Sequence, residues 1–184
     1  MKLWKRIAIG VAVVIGLFLV VVATRPAKFR IERSTSIKAA RATVHASVND
    51  FHGWKAWSPW DKLDPAMKQT YTGSPAGAGA AYAWEGNKDV GKGRMTITDS
   101  TPEKITIRLE FLEPFPATNT TIFTFSGAGD ETQVSWAMEG ENDFMGKAFS
   151  LFMDMDKMVG ADFEKGLAAL KGIAETKPTT ATGS

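Results

Sequence analysis

Between residues 67 and 139 the chain alternates apolar and polar side chains in six successive segments: 67–71, 80–85, 93–99, 104–111, 118–126 and 132–139. A period of two is the pattern of a strand with one buried face and one wet one. The breaks between segments are turn-like: Gly73-Ser74-Pro75, Gly86-Asn87, Thr101-Pro102, Pro114 to Pro116, and Gly127 to Asp130. None of them reaches the dozen or so residues that a parallel crossover requires. The run therefore predicts an antiparallel meander and excludes a doubly wound parallel sheet. Its apolar face must be covered by something else in the chain.

The flanks supply that cover. Phe29, Ile31, Arg33, Thr35 and Ile37 alternate, which predicts a first strand. A helix follows over 39–48, and Asn49-Asp50 is placed to cap a second short helix over 51–55. A tryptophan-rich loop with Pro59 and Pro65 leads into the meander. Residues 147–175 read as one long helix, with Phe149, Phe152, Met153, Phe163, Leu167 and Leu170 as its apolar stripe. Together these elements predict an α+β domain over residues 29–175. Residues 26–28 read as a linker, and 176–184, rich in Thr, Gly and Pro, as a disordered tail.

Ahead of the domain lies an uninterrupted apolar run, Ile7 to Ala23. With Leu3 and Trp4 it approaches the ~20 residues needed to cross a bilayer core. The preferred reading is a membrane anchor over residues 1–25, in contact with lipid over 4–23. A cleaved signal peptide ending at Val21-Val22-Ala23 is a second reading, although such peptides usually have apolar cores of only ~7–15 residues. A buried core helix is a third, and the lack of any polar face speaks against it. Lys2, Lys5 and Arg6 favour a cytoplasmic N-terminus, whereas Arg25, Lys28, Arg30 and Arg33 follow the run. The domain is expected on the extracytoplasmic side.

Charge and composition remove several functions. The chain has 22 Lys and Arg against 20 Asp and Glu, but Lys2, Lys5, Arg6 and Arg25 belong to the anchor, leaving 18 basic residues against the same 20. The domain is slightly acidic, which is unlike a nucleic-acid binder. With no cysteine there is no disulfide, thiol chemistry or cysteine zinc site. His45 and His52 have no third residue at metal or triad spacing. Gly86, Gly91 and Gly93 lie between strands, whereas phosphate-binding glycines open a helix. No metal and no cofactor are expected, and a monomer is favoured.

The segment Trp54-Lys-Ala-Trp57-Ser-Pro-Trp60 resembles the W-x-x-W-S-P-W stretch of polyketide cyclase/dehydrase-like proteins, members of the START-like helix-grip (SRPBCC) superfamily. Gly77 to Ala80 leading into Tyr82-Ala-Trp84-Glu85-Gly86, Gly91-Lys-Gly93, Phe111-Leu-Glu-Pro-Phe115 and Phe144-Met-Gly-Lys147 running into Met153-Asp-Met-Asp156 extend the resemblance in order. It implies an antiparallel curved sheet wrapped around the long C-terminal helix, over a cavity for lipids, sterols, polyketides or similar molecules. It does not by itself confer enzymatic activity, because one fold hosts many functions.

The candidate cavity wall is Trp54, Trp57 and Trp60 at every third position, Tyr82 and Trp84 on one strand face, and Ile107, Leu109 and Phe111 on another. Phe123 and Phe125, then Trp136 and Met138, add two further strands, and Phe149 and Met153 add the helix. Any one of these can equally be ordinary core; as a group they suit an adaptable apolar pocket. Asp156 falls near the helical stripe, either paired with Arg94 or Arg108 inside the pocket or standing at the helix edge in water. The expected function is binding of a small hydrophobic or lipid-like molecule by a membrane-anchored carrier or sensor. The alternatives are a cyclase or dehydratase acting on a carbonyl compound, and an interaction module using an exposed tryptophan loop.

Overall fold

All six alternating segments become strands, and they pair in the order in which they are written. The structure, a computed structural model, describes residues 2–176; of the tail expected at 176–184, Thr176 is the last residue of a helix and the rest lies outside the described residues. Following β1 (Lys28–Ile37) come β2 (Lys68–Gly73), β3 (Ala80–Glu85), β4 (Lys92–Thr101), β5 (Lys104–Glu113), β6 (Ala117–Ser126) and β7 (Thr132–Glu141). The sheet order is β1-β7-β6-β5-β4-β3-β2, so β2 to β7 form a meander and β1 closes against its last strand. Each hairpin pair is antiparallel. Register shifts at Lys92/Gly93 and between Ile97 and Asp99 bend β4.

The remaining elements are α1 (Lys2–Thr24), α2 (Arg41–Asn49), two 3-10 turns (Phe51–Ala56 and Trp60–Lys62), α3 (Phe144–Phe149) and α4 (Met155–Thr176). Asp50 caps the first turn as expected, accepting from the His52 backbone N–H at 2.9 Å. The single long helix expected from 147 onward is instead two helices. Asp143 caps α3 through the Gly146 N–H at 2.7 Å, and the chain turns through Ser150 to Asp154 before α4 begins. Ser and Asp are cap and turn formers, and here they interrupt an apolar stripe that would otherwise continue.

By packing, the described chain divides into two units: the chain up to Phe29 with Glu141–Met155, and Arg30–Gly140 with the chain from Asp156 onward. In the first unit α1 has Val22 as its one buried side chain among the described residues, which removes the core-helix reading. Its stretch Leu3–Thr24 is long and apolar enough to cross a membrane. In the second unit α4 buries Gly160, Phe163, Leu167, Leu170 and Ala174, an i, i+3, i+7 stripe. Phe163, Leu167 and Leu170 are each worth about 1.5–3 kcal/mol of burial. A Cβ at Gly166 would sit 2.7 Å from the Trp136 ring, so the helix backbone rests directly on that indole.

Candidate ligand cavity

The tryptophan segment is held by the end of α2. A helix leaves its last carbonyls without intrahelical partners, and here indole N–H groups take two of them. Trp54 Nε1 donates to Val48 O at 2.8 Å and Trp57 Nε1 to Ser47 O at 3.2 Å. Both rings are buried. They meet Trp136 of β7 edge-on, with centroids 6.4 Å (Trp54) and 5.6 Å (Trp57) away, and Trp60 joins the same ring at 5.8 Å. On the other side Trp136 stacks on Phe163 of α4, at 4.2 Å and 8°. Sheet, turn and helix thus converge on one indole.

A second group forms on β3 to β5. Register places Tyr82 opposite Met95 and Met95 opposite Leu109. One step on, Gly93 lies between Trp84 and Phe111. A Cβ at Gly93 would come within 2.5 Å of the Trp84 ring, so its absence lets that indole lie across the strand towards Phe111, 6.1 Å away. Trp84 Nε1 donates to Val90 O at 3.1 Å, which fixes the ring.

Between these groups is a cavity of about 180 Å³. Of the residues expected from sequence, Trp54, Trp60, Tyr82, Trp84, Leu109, Phe111, Trp136 and Met138 line it. Trp57, Ile107, Phe123 and Phe125 are buried but stand outside the lining, as supporting core. Phe149 and Met153 do not line it either: both are exposed and belong to the first unit. Asp156 is also off the cavity, with its side chain 60% exposed. Its partner is neither Arg94 nor Arg108 but Arg33, at 3.0 Å, whose Nε also holds Glu164 at 2.9 Å. Arg94 and Arg108 instead both clamp Glu110, at 2.6 and 3.1 Å. The Arg33 hydrogen bond holds the Asp156 carboxyl below the usual carboxylate range.

Sequence reasoning did not place Ser58, Asp61, Met67, Val90, Met95, Thr121, Val159, Asp162 or Phe163 on the wall, and these complete the lining; Phe163 was expected only as part of the helical stripe. Val159 precedes Phe163 by one helical turn, and Met95 follows Gly93 on the same strand face, so periodicity carried a signal for those two. The charged lining residues are both acidic, Asp61 and Asp162. Asp162 is paired with Lys165 at 2.9 Å and Asp61 accepts from Gln69 Nε2. Burial, and then the charge of Asp61, push the Tyr82 phenol up, so it remains a neutral donor across the physiological range. Trp136 Nε1 is buried without a hydrogen-bond partner. Among the described residues no group of three or more His, Asp or Glu side chains is placed to hold a metal ion. With Trp54 and Trp57 under the sheet, the tryptophan segment lacks the open aromatic face that a docking loop needs.

An antiparallel sheet closed over a C-terminal helix, with an aromatic cavity against that helix, defines a START-like helix-grip protein. Residues 28–175 match the family described as polyketide cyclase / dehydrase and lipid transport, and the chain belongs to that family. Among solved structures it is similar to the Zhui aromatase/cyclase from a Streptomyces species, at 15% identity and a TM-score of 0.62, over 85% of this chain and 99% of that one. It is also similar to the ginseng major latex-like protein 151 from Panax ginseng, at 10% identity and TM-score 0.57, over 80% and 97% of the two chains. The Aha1 dimer from Colwellia psychrerythraea gives 14% identity and TM-score 0.57, over 80% and 97%. At these identities the likeness is one of fold. A search of curated proteins found no significant match.

Proposed function

We propose that the chain is a membrane-tethered carrier or sensor for a small, uncharged hydrophobic molecule held in the cavity. In this reading residues 29–175 are the binding domain, residues 1–25 hold it to a membrane, and the domain stands on the extracytoplasmic side. The observation that carries the reading is the lining: aromatic and methionine side chains on three kinds of element, with no basic residue among them.

Two magnitudes narrow the ligand. An apolar cavity of roughly 150 Å³ accommodates benzene. At about 180 Å³ this one suits a molecule of one or two rings. Pockets for drug-sized ligands run to ~300–1,000 Å³, so a diacyl lipid is too large for this cavity. An anionic headgroup would also face Asp61 and Asp162 in a low-dielectric space whose lining holds no basic residue. The unpartnered Trp136 N–H favours a ligand with one hydrogen-bond acceptor.

Native mass spectrometry of the full chain, released from detergent micelles, tests this. 1-Naphthylamine and its sulfonated analogue, 5-aminonaphthalene-1-sulfonate, are two-ring probes that differ by one negative charge. The expected result is a one-to-one adduct with the neutral amine and none with the sulfonate, together with a neutral co-purifying molecule from the host. Failure to take up either probe, with nothing co-purified, would overturn the binding reading.

A further inference from the structure

We propose that residues 144–155 make a second membrane contact, lying in the interfacial layer of a bilayer alongside α1. The proposal rests on the tether reading above and adds a new surface to it.

The segment is short, apolar and open. Phe144, Met145, Phe149, Phe152, Met153 and Met155 are all exposed, Phe152 at 78%. Six large apolar side chains within twelve residues form the kind of patch that marks a contact with something else. What that partner is follows from the neighbour the patch already has. The Phe152 ring lies 6.4 Å from the ring of Phe18 in α1. At the other end the Asn142 N–H donates to Ala27 O at 2.8 Å, and Lys28 stands 3.8 Å from Glu141. The segment thus starts level with the linker that follows α1 and descends along the helix as far as Phe18.

The depth can be estimated. Phe18 precedes the last residue of α1, Thr24, by six positions, or roughly 9 Å along the axis at 1.5 Å per residue. Interfacial amphipathic segments sink ~5–10 Å below the headgroup boundary. With α1 across a membrane, Phe152 is carried to that depth and the exposed side chains of the segment meet acyl chains. The end level with the linker carries the charge that stays in water, Glu141 and Asp143 before α3. A half-buried Lys147 has the length to reach the headgroups. The segment ends on Met155, the first residue of α4, whose Val159, Asp162 and Phe163 line the cavity.

The chain has no cysteine, so single nitroxide labels can be placed cleanly. Val14→Cys, Met145→Cys, Phe152→Cys and Lys88→Cys variants of the full chain would be reconstituted in phosphatidylcholine vesicles. Relaxation by oxygen, which concentrates in lipid, would be compared with relaxation by a water-soluble nickel chelate. Labels at 145, 152 and 14 are expected to lose collisions with nickel and keep those with oxygen, while the label at 88 shows the reverse. Labels at 145 and 152 as accessible to nickel as that at 88, with 14 shielded, would overturn this proposal and leave the tether standing. A nickel-accessible label at 14 would overturn the tether itself, and this proposal with it.

Discussion

Trp54, Trp136 and Phe163 are 5%, 2% and 2% exposed around the cavity, whereas Phe144, Phe149 and Phe152 stand open between residues 144 and 155. The two regions draw on the same residue types. What separates them is the frame behind each ring. Around the cavity, rings are fixed by strand register, as with Phe123 opposite Trp136, or by an indole N–H given to the end of α2. Residues 144–155 form one short helix and a turn, with no strand register behind them. Apolar composition alone states that a side chain avoids water. Whether protein or lipid replaces the water is decided by the backbone around it.

The largest expected effect sharpens that contrast. Trp136→Ala removes the ring on which three elements meet and should destabilise the domain by about 3–5 kcal/mol, with an Ala at the exposed Phe152 as comparator. Equal urea midpoints for the two variants would erase the distinction between the regions. Next comes Gly93→Ala. The new methyl would stand 2.4 Å from the Trp84 ring and 2.5 Å from the Glu110 carbonyl oxygen, so strand and indole must part. A loss of about 1–3 kcal/mol is expected. Weaker uptake of the neutral naphthylamine should accompany it, because the displaced indole moves into the cavity. Unchanged stability and uptake would mean that Trp84 does not lie across β4.

Asp156, at the first position of the second unit beyond the turn, gives a smaller and pH-dependent effect. Arg33 lowers the folded-state pKa of its carboxyl. The ion pair therefore stabilises fully above the unfolded carboxylate value of about 4, and its contribution disappears as pH falls through the lowered folded value. Because the Asp156 side chain is largely exposed, Asp156→Asn should cost under about 1 kcal/mol at neutral pH. That difference should shrink with added salt and vanish in strong acid. A difference that persists there would assign the effect to helix capping and not to charge.

Much of this was legible beforehand, and the exceptions share a cause. Period-two alternation located β2 to β7, since strand periodicity is local and survives without knowledge of the partner. The helical stripe located Phe163, Leu167 and Leu170 for the same reason. The stripe could not show that Ser150 to Asp154 would interrupt it, because the apolar spacing of Phe149, Phe152 and Met153 continues across the break. Nor could spacing find Arg33 for Asp156, 123 residues apart, or bring the loop residues Met67 and Val90 to the cavity wall with Trp84. Those are facts of tertiary closure.

The smallest effect tests the contrast from its other side. In a single helix running from 147 to 175, Met153 would share the inner stripe with Phe163 and form part of the cavity wall. In the structure Met153 is exposed and outside the lining. Met153→Ser and Phe152→Ser in the full chain, measured in detergent, should therefore change stability by no more than about 0.5 kcal/mol. Uptake of the neutral naphthylamine should be that of the unaltered chain. The pair separates two causes of burial that composition cannot. A marked loss of uptake in Met153→Ser would restore the unbroken stripe and place the segment on the wall. Unchanged uptake, alongside labels shielded from nickel in vesicles, would mean that Phe152 and Met153 are apolar because they face lipid.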